Sequence, residues 1–102
     1  MFPYYNYQYN DTGYQVLKYD VGDFFKRHSD RGNRNLDSNR MLSAVYLCND
    51  NFKGGDLIFF DYFKIPLQKN SILIFPSNEM FQHMVTPILE GSRYTIVSWF
   101  VR

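Results

Sequence analysis

The chain has 102 residues, so it forms one domain at most. Its 11 basic and 10 acidic residues give a net charge of +1, which argues against nucleic acid as a partner because nucleic-acid binding favours a basic surface. Cys48 is the only cysteine, so an intrachain disulfide is excluded, and we predict a cytoplasmic location. The apolar runs are too short to span a membrane, and we expect no signal peptide.

Apolar and polar residues alternate along most of the chain, and a period of two predicts β-strands with one buried face. Segment 1–13 is predicted to form a strand, from its alternating tyrosines, and then a turn at Asn10-Asp11-Thr12-Gly13. Residues 14–19 predict a returning strand, 20–23 a second turn, and 24–30 a further strand. The polar segment 31–39 contains three asparagines and predicts a loop, placed where loops often cover a substrate.

Five more strands are predicted in the rest of the chain, at 41–48, 56–64, 71–75, 83–88 and 93–101. Glycine, proline and asparagine separate them, and Pro87 indicates a sheet edge or a strand end. Residues 79–83 are long enough for a single helical turn only. About eight short strands at regular spacing, with no amphipathic helix, predict an all-β sandwich or barrel.

Two histidines and one aspartate are candidate metal ligands. His28 and Asp30 are two positions apart on one predicted strand, so their side chains point to the same side. His83 begins the penultimate predicted strand, and the chain has no third histidine. Two imidazoles and one carboxylate are the ligand set that binds non-haem iron(II) on one face and leaves positions open. The alternative is that His83 is only a hydrogen-bonded strand residue and that the His-x-Asp spacing arises by chance.

Arg93 follows His83 by ten residues and begins the last predicted strand. Alternation places Arg93, Thr95 and Trp99 on one face of that strand, which is an unusual set for a plain apolar core. Because a buried guanidinium without an anion is costly, this face predicts a carboxylate ligand. A dicarboxylate could pair with the planar arginine at one end and with the metal at the other. The alternative is an edge arginine that pairs with Asp or Glu.

Several short motifs occur together in a fixed order. Four of them are His28-Ser29-Asp30, Lys53-Gly54-Gly55-Asp56, His83-Met84-Val85-Thr86-Pro87 and Gly91-Ser92-Arg93-Tyr94. With residues 14–19, 22, 40–43, 49–52, 73–77 and 99–100, they cover nearly the whole chain from residue 14 onward. In these motifs and their order, the chain resembles the prolyl 4-hydroxylase-type iron(II)/2-oxoglutarate-dependent oxygenases.

The resemblance implies a double-stranded β-helix, also called a jelly roll, in a minimal all-β form with few or no helices. Residues 1–102 would form a single oxygenase domain, with the β-helix core at 14–102. The implied site residues form three groups. Iron(II) would be bound by the catalytic residues His28, Asp30 and His83, the cosubstrate 2-oxoglutarate would contact Arg93, Tyr19 and Thr95, and the substrate pocket would include Trp99 and Arg40.

The implied reaction uses O2 and 2-oxoglutarate to hydroxylate a peptidyl or free amino acid, with a prolyl residue the leading expectation and ascorbate the reductant. Loop 31–39 and residues 61–66 would select the substrate. An oxygenase that acts on a nucleic acid or a small molecule is an alternative. The nucleic-acid repair enzymes that the chain resembles carry a second arginine six residues after the first, and here that position is Trp99.

The chain departs from the family pattern in two respects. Without a gap, Leu47 takes the place of a family tyrosine and Tyr46 points to the other face, so Tyr46 is not expected to contact the cosubstrate. Family members also carry N-terminal helices that cover the larger sheet, and none is evident here. That sheet would need cover from segment 4–9, a second copy in a homo-oligomer, or missing chain. A non-catalytic or truncated β-helix binding module is therefore an alternative, although the complete ligand set argues against a binding module.

Overall fold

The computed structural model describes residues 10–31 and 39–102, and in these ranges the chain forms eleven strands and no helix. Predictions for segment 4–9 and for most of loop 31–39 lie outside the described residues. The strands are β1 (Asn10–Asp11), β2 (Gln15–Tyr19), β3 (Phe25–His28), β4 (Arg40–Leu47), β5 (Lys53–Gly54), β6 (Leu57–Phe59), β7 (Phe63–Lys64), β8 (Ile72–Pro76), β9 (His83–Val85), β10 (Ile88–Glu90) and β11 (Arg93–Val101).

Most of the strands form two antiparallel sheets. The larger sheet has the order β1-β11-β4-β8, with β2 also paired to β11, and the smaller sheet has the order β3-β9-β6-β7. From β2 to β11 the long strands alternate between the two sheets, which is the winding of a jelly roll. Strands β5 and β10 form a separate pair. The fold is the all-β double-stranded β-helix that the sequence predicts.

The core lies between the two sheets. Phe59 of the smaller sheet meets Phe75 of the larger sheet edge to face, with ring centroids 4.9 Å apart. Tyr19, Val85 and Ile88 are buried in the same cluster. Each such side chain contributes roughly 1.5–3 kcal/mol through burial, so these contacts hold the sheets together.

The outer face of the larger sheet carries exposed apolar side chains. Val16 on β2 is 68% exposed, and Ile72 and Ile74 on β8 are 63% and 57% exposed. Among the described residues nothing covers these side chains, in line with the expectation that the larger sheet needs cover. A homo-oligomer that covers it stays a prediction, as do the domain boundaries. No helix in the described part of the chain is long and apolar enough to cross a membrane.

Several predicted element bounds were wrong for local reasons. The predicted strand 56–64 is interrupted after Phe59, because Phe60 and Asp61 adopt positive φ angles of 58° and 68° and form a turn. The predicted strand 83–88 is interrupted at Pro87, which has no N–H for a ladder. Residues 79–82, which are long enough for a single helical turn only, form a non-helical turn before β9. Asn10 and Asp11, predicted as a turn, form β1 against the end of β11.

Gly55 allows the last strand to approach the loop before β6. Its φ is +62°, a left-handed conformation that favours glycine. A Cβ atom at this position would lie 3.0 Å from Arg93 Cδ and closer still to the side chain of Ile88. The glycine therefore makes room for the aliphatic part of Arg93.

We expect Gly55→Ala to lower the free energy of unfolding by about 1–3 kcal/mol, through backbone strain and overpacking against Arg93 and Ile88. Gly13→Ala is the matched control, because Gly13 also has a positive φ of +83° but has no heavy atom within 4 Å of an added Cβ. Urea denaturation of both variants measures the difference. An equal loss in the two variants would show that the space beside Arg93 is not limiting.

Candidate metal centre

Three candidate ligands converge at the junction of β3 and β9. His28 ends β3, His83 begins β9, and the two residues are paired across the strands. Asp30 follows β3 by two residues, and its Oδ1 atom lies 3.2 Å from His28 Nε2 and 3.1 Å from His83 Nε2. The ligand atoms of all three residues lie within 4.8 Å of one another. The structure thus brings together the predicted metal ligands.

Backbone hydrogen bonds orient both imidazole rings. His28 Nδ1 lies 2.7 Å from the carbonyl oxygen of Lys26, and His83 Nδ1 lies 3.0 Å from that of Phe81. A carbonyl only accepts, so each Nδ1 carries the proton and donates it. In the neutral rings, both Nε2 lone pairs are then free for a metal, and they point toward Asp30.

The spacing of the donors fits a single metal ion. Two donors that are each about 2.1 Å from one ion, at right angles, are separated by about 3.0 Å. The two nitrogen–oxygen distances, 3.2 and 3.1 Å, are close to that value. Two nitrogens and one carboxylate oxygen are also the donor types of non-haem iron(II) sites. Both the geometry and the chemistry of these residues therefore fit iron(II).

The surroundings of Asp30 favour its ionised form. Burial alone would raise its pKa, but the imidazoles of His28 and His83, whenever they carry a proton on Nε2, and the hydrogen bond from Ser43 hold the pKa of this carboxyl well below its usual range. A metal ligand must be deprotonated, so the environment of Asp30 favours the form that binds.

All eight predicted site residues line one cavity of about 410 Å³. The cavity lies between the sheets and is also lined by apolar side chains, including Leu57, Phe75 and Val85. The predicted site residues that line it are Tyr19, His28, Asp30, Arg40, His83, Arg93, Thr95 and Trp99. A partly apolar cavity with a few convergent polar groups is typical of a small-molecule site.

Arg93 is a buried cation without a carboxylate partner. Its side chain is 3% exposed. Among the described residues, no carboxylate oxygen lies within 4.0 Å of its guanidinium nitrogens, which is the distance limit for an ion pair. Burial lowers the pKa of Arg93, while Tyr19 and Asp56 oppose that shift. Because β11 lies between β2 and β4, the alternative of an edge arginine in an ion pair is wrong. A buried guanidinium that faces a cavity indicates an anionic ligand there.

The neighbours of Arg93 complete this end of the cavity. Tyr19 is paired with Arg93 across β2 and β11, and the guanidinium carbon lies 5.4 Å from the centroid of the Tyr19 ring. Burial raises the pKa of Tyr19, so its hydroxyl remains protonated and able to donate a hydrogen bond. Thr95 is buried two residues along β11 on the same face.

The predicted substrate-pocket residues lie beside Asp30. The Trp99 indole Nε1 donates to Asp30 Oδ2 at 3.0 Å, and Arg40 Nη1 donates to the Asp30 carbonyl oxygen at 3.1 Å. The Arg40 guanidinium carbon also lies 3.8 Å from the centroid of the Trp99 ring, as in a cation–π contact. Tyr46 donates to Asn70 Oδ1 and does not line the cavity.

Ser43 and Ser77 have contacts with the site that the sequence did not reveal. The Ser43 hydroxyl donates to Asp30 Oδ2 at 2.5 Å, and the Ser43 and Ser77 hydroxyl oxygens are 2.9 Å apart. Both serines are 1% exposed. A serine at an inward position of an otherwise apolar strand was the available signal for Ser43, but its partner is set by the packing of the two sheets.

Residues 14–101 match the sequence profile of the 2OG-Fe(II) oxygenase superfamily. The chain belongs to this superfamily. A PKHD-type hydroxylase from Shewanella baltica is 30% identical over 90 residues, an alignment that covers 80% of this chain and 39% of that protein. The chain thus spans about two-fifths of the length of its curated relatives. Family membership confirms the resemblance seen in the motifs and implies iron(II) and 2-oxoglutarate as cofactor and cosubstrate.

Two solved structures resemble this chain. A prolyl-4-hydroxylase from Pseudomonas putida is 31% identical with a TM-score of 0.71, and the match covers 87% of this chain and 51% of that one. A prolyl hydroxylase from Trichoplax adhaerens, solved in complex with a hypoxia inducible factor peptide, is 26% identical with a TM-score of 0.77, covering 94% and 46% of the two chains. These likenesses confirm the predicted jelly-roll fold.

We expect Arg93→Met to raise the free energy of unfolding of the ligand-free protein by roughly 1–3 kcal/mol, because it removes a buried cation that has no carboxylate partner. Arg27→Met is the control, because Arg27 forms an exposed ion pair with Asp61 whose loss changes stability little. Urea denaturation measures both. A clear loss of stability in Arg93→Met would contradict the description of Arg93 as unpaired.

Proposed function

We propose that this domain is an iron(II)- and 2-oxoglutarate-dependent dioxygenase that hydroxylates a peptidyl or free amino acid, with a prolyl residue the leading candidate. The observation that carries the proposal is the presence of two complementary features in one cavity. One is the His28–Asp30–His83 cluster, and the other is the buried Arg93, which has no carboxylate partner among the described residues. A dicarboxylate with a metal-chelating end satisfies both.

Each residue of the cluster has a defined part in this proposal. His28, Asp30 and His83, which all line the cavity, would hold iron(II) through Nε2, Oδ1 and Nε2. Iron(II), when bound with 2-oxoglutarate, supplies the activation of O2 that hydroxylation requires. The surrounding apolar residues keep bulk water away from the reacting groups.

Arg93 would bind the distal carboxylate of 2-oxoglutarate through paired hydrogen bonds, which the planar guanidinium favours. Tyr19, whose ring centroid lies 5.4 Å from that guanidinium carbon, would donate a further hydrogen bond to the same carboxylate. Thr95, buried on the same face of β11, would contact the chain of the cosubstrate. These three residues orient the molecule so that its 2-oxo acid end faces the metal ligands.

The prolyl substrate is supported by the relatives. The curated relatives are PKHD-type hydroxylases, and both solved structures above are prolyl hydroxylases, one of them with a peptide. Trp99 and Arg40 lie at the cavity beside Asp30, where a substrate side chain would approach the metal. The nucleic-acid repair enzymes carry a second arginine where this chain has Trp99. The Trp99 indole is hydrogen-bonded to Asp30, and the absence of an arginine at this position supports an amino-acid substrate over a nucleic acid.

The test is succinate formation from 2-oxoglutarate with iron(II), with and without ascorbate, and with and without proline-rich peptides. We expect slow uncoupled turnover, stimulated by a peptide substrate. His83→Ala should reduce turnover to background, because the metal loses one of three ligands. Hydroxyproline in the recovered peptide, located by mass spectrometry, would establish the prolyl substrate.

Glu79→Ala is the control for this assay, since Glu79 is exposed and does not line the cavity. It should retain wild-type turnover. Equal succinate formation by wild type and His83→Ala would contradict the proposal. Tight metal binding without any turnover would favour the binding-module or truncated-chain alternative.

A further inference from the structure

The two oxygens of Asp30 have different environments. Oδ1 lies 3.2 and 3.1 Å from the Nε2 atoms of the two histidines. Oδ2 accepts two hydrogen bonds on the other side, from Ser43 Oγ at 2.5 Å and from Trp99 Nε1 at 3.0 Å. Only Oδ1 is therefore directed to the position between the imidazoles.

The two donors form one unit of the larger sheet. Ser43 on β4 and Trp99 on β11 are directly paired in the sheet register. Both line the cavity, while Asp30 follows a strand of the smaller sheet. The hydrogen bonds to Oδ2 thus link the two sheets at the candidate metal centre.

Ser77 and Arg40 support the two donors. The Ser43 proton is directed to a carboxylate, which only accepts, so Ser77 donates to Ser43 across the 2.9 Å contact. Arg40 lies over the Trp99 ring and donates to the Asp30 carbonyl, which restrains the indole and the backbone together. Because Ser43 and Ser77 are 1% exposed, water does not compete for these hydrogen bonds.

We propose that Ser43, Trp99 and Ser77 are positioning residues that occupy Oδ2 of Asp30, so that the carboxylate presents Oδ1 alone to the metal. A carboxylate that is free to rotate can bind a metal through both oxygens. Such a change would take a position that the cosubstrate and O2 need. The inference rests on the proposed function, because it concerns the metal that this function requires. It gives Trp99 a role at the metal centre besides its predicted place in the substrate pocket.

The test compares variants that remove one hydrogen bond each. Ser43→Ala removes the hydroxyl donor, and Trp99→Phe removes the indole N–H but keeps an aromatic ring beside Arg40. Ser43→Thr keeps the hydroxyl. The control is Ser71→Ala, because the Ser71 hydroxyl bonds only to the Gln68 backbone in the described structure and does not line the cavity.

The first readout is the affinity for Mn(II), measured by electron paramagnetic resonance without cosubstrate or turnover. We expect Ser43→Ala and Trp99→Phe to weaken binding by about 10-fold or more, as losses around metal ligands commonly do. Ser43→Thr should bind more tightly than Ser43→Ala, and Ser71→Ala should bind like wild type. The second readout is the visible absorption of bound Co(II), which reports the number and arrangement of donors. It should change in Ser43→Ala and return toward wild type in Ser43→Thr.

The outcomes separate this inference from the proposed function. If wild type and His83→Ala bind Mn(II) equally, the metal centre itself is wrong. If binding depends on His83 but Ser43→Ala and Trp99→Phe match wild type, the positioning inference alone is overturned. A lower urea midpoint in these variants with unchanged Mn(II) affinity and Co(II) spectrum would assign the residues a structural role only. Failure of Ser43→Thr to improve on Ser43→Ala would also count against the inference.

Discussion

The site depends on the placement of one carboxylate between two sheets. Asp30 lies just after β3, so Oδ1 faces the two imidazoles of the smaller sheet while Oδ2 is bonded from the larger sheet. A buried carboxylate is costly unless its hydrogen-bonding capacity is used, and both oxygens of Asp30 have polar partners. The same contacts that satisfy this charge also determine which atom can bind a metal.

The cavity has a second charge that the protein leaves unbalanced. Arg93 is buried without a carboxylate partner in the described part of the chain, and Gly55 makes room for its aliphatic stem. An unbalanced buried cation lowers the stability of the ligand-free protein. The same cation attracts an anion that fits the cavity. Arg93 therefore lowers the stability of the ligand-free protein and strengthens the binding of an anionic ligand.

The sequence predicted the parts of the site that follow from local spacing. The i, i+2 spacing of His28 and Asp30 and the alternation from Arg93 to Trp99 depend on residues that are close in the chain, although β3 ends at His28 and Asp30 follows it. The order of the motifs carries the family resemblance, and the resemblance implies the jelly-roll fold. The family match and the solved structures support that fold. The structure adds that these residues line a single cavity.

Other features could not be predicted because they depend on packing between distant segments. The pairing of Ser43 with Trp99 follows from the register of β4 and β11, and the contact of both with Asp30 follows from the distance between the sheets. The predicted strand 56–64 is interrupted after Phe59 by two residues with positive φ angles. Neither of them is glycine, so the sequence contains no signal for this turn. Pro87, by contrast, indicates a strand end from the sequence alone, and β9 ends before it at Val85.

The most direct test of the account is a calorimetric titration of 2-oxoglutarate into the protein, with and without Mn(II), for wild type and Arg93→Met. We expect Mn(II) to strengthen 2-oxoglutarate binding in wild type. We expect Arg93→Met to weaken this binding while Mn(II) affinity is retained, because the two ends of the cosubstrate use separate groups. Binding of 2-oxoglutarate that is unaffected by Mn(II) and equally tight in Arg93→Met would contradict it.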